Sequence, residues 1–264
     1  MNKQSLANKK AWEYRAYEFW NNERTPEEQA KKLIEDPLKQ LTIHKKYFMD
    51  VEGKKVANLC GSCGKRAIAL SLLGAEPTVF DISEENKRYA MESANCANTS
   101  LNYVVGDVYD IDINKYANYF DMIYMEGGIL HYFDDINKLA GLWHSILKDG
   151  GKMVLSDFHP LRRLAGKGNY TAGSSFKECD EMERGSLEGF NYFDSPMVPG
   201  DLAYKNFFSE NESEDFPSVL ITMHKLSDII NAVIDAGFTI KHFEEHPDWV
   251  NTSIPDEFTL FAIK

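Results

Sequence analysis

The sequence predicts an α/β fold: a doubly wound, seven-stranded sheet, mostly parallel with a reversed last strand, and helices on both faces. Three observations predict it. From Val56 onward, short apolar runs alternate with segments of helical period, the pattern of βαβ units whose strands are covered on both sides. The helical segments are bounded by capping and stop residues. The last two apolar runs are separated by Pro247 and Pro255 with no helical pattern between them, and strands joined without a crossover helix must be antiparallel neighbours.

The first 50 residues read as a helical cap. Thr25-Pro26-Glu27-Glu28 supplies a capping threonine, a proline at the first helical position and a glutamate able to bond back to the cap. Upstream, Trp12, Tyr14, Tyr17, Phe19 and Trp20 crowd one short segment, more aromatic surface than a free helix leaves in water, so it must pack on core or on ligand. Residues 51–160 form the α/β core, with strands at 56–59, 78–80, 101–105, 121–124 and 152–156. Its helices are 65–73, stopped by Gly74; 84–97, introduced by Ser83; and 136–147, preceded by Asp134-Asp135 and closed before Gly150-Gly151. Residues 161–220 carry glycines, acids and aromatics without a sustained period and read as an insertion or lid. Residues 221–264 complete the core with a helix at 227–236, ended by Gly237, and strands at 239–243 and 258–263.

Composition narrows the functional classes. At 264 residues, 43% hydrophobic and 27% charged, the chain is an ordinary globular protein and not a fibrous or disordered one. The net charge of −12 repels phosphate backbones and disfavours a nucleic-acid partner, although Lys45-Lys46 and Lys54-Lys55 make a local basic strip. Four cysteines are too few for a disulfide scaffold, the start of the chain is polar, and no run approaches the roughly 18 to 20 apolar residues that span a bilayer. A cytoplasmic protein with no membrane partner is expected.

The first strand runs into Cys60-Gly61-Ser62-Cys63-Gly64 and then into a helix. Small residues there let backbone approach a ligand closely while the helix presents unpaired N–H groups. The second strand ends in Phe80-Asp81-Ile82, and Asp81 lies 20 positions after Gly61, the usual distance to an acid that accepts hydrogen bonds from ribose hydroxyls. Turn plus acid points to an adenosine-type cofactor. A dinucleotide fits less well, because Cys60 and Ser62 stand where G-x-G-x-x-G wants glycine. The pair Cys60 and Cys63 also spells C-x-x-C, but its place in the glycine turn argues against redox or zinc chemistry.

The run Val56-Ala57-Asn58-Leu59-Cys60-Gly61-Ser62-Cys63-Gly64 resembles the first motif of the class I S-adenosylmethionine-dependent methyltransferases, departing from it at Asn58, Cys60 and Ser62. The resemblance continues through Asp81, through Gly106-Asp107-Val108 after the third strand, through Phe120-Asp121-Met122-Ile123-Tyr124 and through Leu147-Lys148-Asp149-Gly150-Gly151 before the fifth strand. It implies S-adenosylmethionine as cofactor, with S-adenosylhomocysteine as product. Cys60, Gly61, Ser62 and Gly64 would cradle the methionine portion, Asp81 and Ile82 the ribose, Asp107 and Val108 the adenine, and Glu126 and Gly127 the amino-acid end. Asp107 could instead cap its loop.

For the acceptor, a methyl transfer is an in-line displacement that needs alignment first and a base only if the acceptor must lose a proton. His131 and His159, at the ends of the fourth and fifth strands, are the candidate catalytic residues; His44 and His224 are weaker ones. Tyr14, Tyr17 and Trp20 could close over the sulfonium by π contacts. The insertion would cover the acceptor side, a size of lid that suits a small molecule. Met125-Glu126-Gly127-Gly128 stands where amine-methylating relatives carry N/D-P-P-Y/F, and no metal site is expected.

Overall fold

A computed structural model describes residues 1–164, 191–247 and 253–264. Two-fold winding begins at β1 (Lys55–Leu59), which is buried from Val56 onward. On one side β1 pairs in parallel with β2 (Glu76–Asp81), which in turn pairs with β3 (Asn102–Val105). On its other side it pairs with β4 (Phe120–Met125), followed by β5 (Leu147–Phe158). The final strand, β9 (Pro255–Ile263), runs antiparallel to both β5 and β8 (Thr239–Pro247), so the sheet order is β3-β2-β1-β4-β5-β9-β8. This is the expected seven-stranded, mostly parallel sheet with its reversed last strand.

Helices cover both faces because the crossovers between parallel strands have nowhere else to go. On one face α4 (Lys65–Leu72), α5 (Glu84–Cys96) and α3 (Pro26–Glu35) pack on Val56, Val79, Met122 and Tyr124. On the other, the short α6 (Ile113–Tyr116), α7 (Ile136–Ile146) and α9 (Leu226–Asp235) close over Ala57, Phe80, Ile123 and Met153, with Trp143 wholly buried. The caps follow the sequence. Ser83 Oγ accepts from the Asn86 N–H, and Thr25 with Glu28 forms the reciprocal capping box.

The cap at the amino end is three helices, with α1 (Lys3–Glu13) and α2 (Ala16–Glu23) preceding α3. Between α1 and α2, Arg15 takes a left-handed backbone (φ 54), which sets the turn that points both helices at the same cavity. The insertion departs from the expectation of an aperiodic segment. Its described part contains an antiparallel pair, β6 (Met197–Gly200) with β7 (Val219–Thr222), and a short α8 (Glu210–Ser213); residues 165–190 lie outside the described residues. Aromatic and aliphatic side chains of the cap and the insertion share one core, in which Phe19 stacks on Tyr204 at 4.8 Å. Polar contacts reinforce it: Asn8 Nδ2 donates to the Leu220 carbonyl (3.0 Å), the Leu220 N–H donates to Asn8 Oδ1 (2.7 Å), and Gln4 Nε2 donates to the same carbonyl (3.0 Å). Among the described residues no helix is long and apolar enough to cross a membrane.

Candidate functional site

The carboxyl ends of β1, β2 and β4 open into a cavity of about 310 Å³, roofed by α1 and α2. Its floor is the turn after β1. Cys60 (φ 52) and Ser62 (φ 47) hold the left-handed conformations that glycine adopts freely, so the turn keeps a glycine-type path with side chains at strained positions. Gly61 allows no substitute, because an added Cβ would lie 2.4 Å from Asn58 Oδ1 and 2.9 Å from Val79 Cγ1. The cradle is pinned from beneath by the Tyr103 hydroxyl, which donates to the Ser62 carbonyl at 2.7 Å.

Asp81, at the end of β2, is buried at the cavity wall. Its carboxylate accepts from the Ser62 N–H (2.9 Å), the Ser83 N–H (3.1 Å) and Asn86 Nδ2 (3.2 Å). Burial raises its pKa, and those donors oppose the rise. Three donors leave lone-pair capacity for one more. Asp107 caps its turn, Oδ1 accepting from the Tyr109 N–H (3.0 Å), while Oδ2 is buried without a hydrogen-bond partner. Ser62 Oγ and Asn58 Oδ1 are likewise buried and unpartnered.

A buried ion pair stands at the other end of the cavity. Arg66, in the first turn of α4, meets Glu126 at the end of β4 in a two-point contact, Nε to Oε1 at 2.8 Å and Nη2 to Oε2 at 3.1 Å. Burial pushes the Glu126 carboxyl up, but Arg66 more than compensates and holds it at about 2. Gly127, next to it, faces open space.

The cavity thus gathers Trp20, Cys60, Gly61, Ser62, Asp81, Ile82, Asp107, Val108, Glu126 and Gly127 of the expected residues. Gly64 does not line it; it starts α4 from beneath, where an added Cβ would sit 2.8 Å from Ala90 Cβ. Tyr14 packs on Phe216 (5.0 Å between ring centres), and the Tyr17 hydroxyl bonds Glu92, so neither ring is brought to the cavity. The histidines are also placed elsewhere. His131 lines a smaller pocket with Asp157 and His224, behind the turn that separates it from the main cavity, and burial drives its pKa down to about 3. His159 Nε2 sits 3.0 Å from Glu245 Oε1. His44 is buried between the Tyr124 hydroxyl and Thr259, and His224 Nε2 bonds the Phe133 carbonyl. Among the described residues no group of three or more His, Cys, Asp or Glu could hold a metal ion.

Residues that no spacing in the sequence singles out complete the lining, notably Arg66 and Asn58 on the floor side and Ser5, Asn8 and Tyr132 at the roof. One signal was present for Arg66: with Lys65 it forms the charged start of a helix that is apolar thereafter apart from Ser71, KRAIALSL.

Residues 59–155 match a family model described as a methyltransferase domain. No curated protein matches the chain. Among solved structures, a Listeria monocytogenes protein described as a candidate S-adenosylmethionine dependent methyltransferase superposes with a TM-score of 0.64 at 19% identity, over 85% of this chain and 97% of that one. An S-adenosylmethionine dependent methyltransferase from Mesorhizobium loti gives 0.57 at 18%, over 84% and 97%. The magnesium protoporphyrin IX methyltransferase of Synechocystis, solved with bound S-adenosylhomocysteine, gives 0.58 at 13%, over 99% and 100%. These likenesses establish a shared fold. The sheet order is that of the class I methyltransferase fold, and the methyltransferase-domain match lies within it, over residues 59–155.

Proposed function

We propose that the chain transfers a methyl group from S-adenosylmethionine to a small-molecule acceptor by in-line displacement. The observation that carries this reading is the convergence of a glycine-type turn, Asp81, Asp107 and the Arg66–Glu126 pair on one roofed cavity. The donor and acceptor groups present suit the cofactor. Asp107 Oδ2, buried and unpartnered, can accept from the adenine amine. Asp81 has lone-pair capacity left for a ribose hydroxyl. Glu126 can take the ammonium and Arg66 the carboxylate of the methionine end, each keeping one contact of its pair. When bound, the sulfonium supplies an electrophilic methyl carbon. The protein's contribution is alignment, worth on the order of 7 to 11 kcal/mol when two reactants are held in register.

The cap supports a small acceptor. Trp12, Trp20, Ser5 and Asn8 roof the cavity, and α1 is bonded to the insertion through Asn8 and Gln4, which holds that roof in place. The net charge of −12 opposes a polyanionic substrate, and a reducing compartment fits the free thiols of Cys60 and Cys63.

The test is thermal unfolding with S-adenosylmethionine, S-adenosylhomocysteine and NAD added separately. At 100 times Kd a ligand adds about 2.7 kcal/mol, a rise of several degrees for a chain of this size. A rise with the two sulfur compounds that shrinks at least tenfold in affinity for Asp107→Asn is expected. A rise with NAD alone would overturn the reading.

A further inference from the structure

The main cavity is divided by charge. Its charged lining residues (Lys65, Arg66, Asp81, Asp107 and Glu126) all belong to the floor and the cofactor end. The opposite wall, built by α1 and by the turn after β4, is Ser5, Asn8, Trp12, Tyr132 and Phe133, with no charge among them. Asn8 is already committed, since both ends of its amide are bonded to Leu220. The Tyr132 hydroxyl is different: it is buried, its oxygen receives the Trp12 indole N–H, and its own proton has no acceptor among the described residues. Burial raises its pKa, so at neutral pH it is a phenol able to donate. Trp12 meets the Tyr132 ring edge to face at 5.8 Å and Tyr204 at 5.7 Å, which makes this wall aromatic and rigid.

The same wall offers no general base. No histidine lines the cavity among the described residues. Glu126 is locked to Arg66, Asp81 is already bonded by three donors, and burial raises the Cys60 and Cys63 thiols out of the range in which they would ionise. With the Asp107 carboxylate at the adenine end, an acceptor that had to lose a proton in the transition state finds nothing among the described residues placed to take it.

We propose that the acceptor is an uncharged, flat heteroaromatic molecule that attacks through the lone pair of a ring nitrogen, with Tyr132 donating a hydrogen bond to a second polar atom of the ring system and Trp12 flanking it. This rests on the methyltransferase reading above and names the substrate class of that same site. The nitrogen lone pair forms the new N–C bond, the carbon–sulfur bond breaks, and its electron pair stays on sulfur as a thioether. Positive charge passes from sulfur to nitrogen and no proton moves. The aromatic rings of Trp12 and Tyr132 then face a cation, which suits their negative π faces and lowers the demand on solvent.

The experiment compares uncharged azaarenes (pyridine-3-carboxamide and a 9-alkylated purine) with pyridine-3-carboxylate and with phenol, in a methyl-transfer assay read by mass spectrometry. Calorimetric binding of S-adenosylhomocysteine runs in parallel. The expected result is N-methylation of at least one uncharged azaarene, with Tyr132→Phe raising its KM roughly tenfold, leaving kcat within about twofold and leaving S-adenosylhomocysteine affinity unchanged. Preference for the carboxylate or for phenol overturns the proposal, as does an unchanged KM in Tyr132→Phe. So does S-adenosylhomocysteine binding with no azaarene methylated. Failure to bind S-adenosylhomocysteine at all instead brings down the methyltransferase reading on which the proposal stands.

Discussion

The buried pair between Arg66 and Glu126 makes an acid-dependent contribution to stability that can be isolated. With Glu126 held at about 2 in the folded chain and at the ordinary 4.5 once unfolded, the ionised carboxylate favours folding by about 3 kcal/mol at neutral pH, since one pKa unit corresponds to about 1.4 kcal/mol. The folded value is depressed, so this stability is present in full above pH 4.5 and is lost as pH falls through about 2. Glu126→Gln keeps the shape and removes the titration. Equilibrium urea unfolding of both proteins, without ligand, at pH 7, 4 and 3 should show a wild-type advantage that narrows from its full value at pH 7 to about 1 or 2 kcal/mol at pH 3. The remainder is lost only below that. A difference that stays constant over this range, or grows toward acid, would refute the assignment of a buried, mutually satisfied pair.

Two further perturbations read other parts of the site. Ser62→Gly removes a left-handed serine and a buried, unpartnered hydroxyl, and should raise stability by about 1 kcal/mol, a shift of about 2 to 4 °C in Tm, whereas Ser62→Ala keeps the backbone strain and should not; an equal gain from both would place the cost in the hydroxyl alone. Asn8→Ala strips two hydrogen bonds between α1 and β7 and should cost about 1 to 3 kcal/mol of local stability, read as faster amide exchange and earlier protease cleavage in residues 1–13 with the α/β core unchanged.

The core of the fold was legible because its strands are buried on both faces and so read as nearly continuous apolar runs, such as Val56–Leu59, broken only by Asn58, against Phe120–Met125, broken only by Asp121. Caps at Ser83 and Thr25 made the helix starts equally plain. The β6–β7 pair was not legible. Its first strand, MVPG, holds a proline and a glycine and no buried residue, and its partner lies about twenty residues downstream, so neither propensity nor local spacing marks it. Within the site, the sequence could tell which residues stand at strand ends, but the direction each side chain takes there depends on the path of the loop. The turn after β4 carries Tyr132 toward the main cavity and His131 away from it, one residue apart. In the cap, the left-handed kink at Arg15 resets the helical phase, which is why Trp12 and Trp20 reach the cavity while Tyr14 and Tyr17, between them, do not.

The contact between α1 and β7 has a consequence for how the molecule avoids its own kind. β7 belongs to a sheet of only two strands, and at Leu220 one of its edges offers an N–H and a carbonyl to whatever approaches. Exposed strand edges of this type invite pairing with another chain. The carboxamides of Asn8 and Gln4 occupy those two groups as a neighbouring strand would, so a helix blocks the edge without joining the sheet. The first turns of the chain therefore act as a guard against intermolecular β-pairing while they roof the cavity. Losing them would open the cavity and an adhesive edge in the same event.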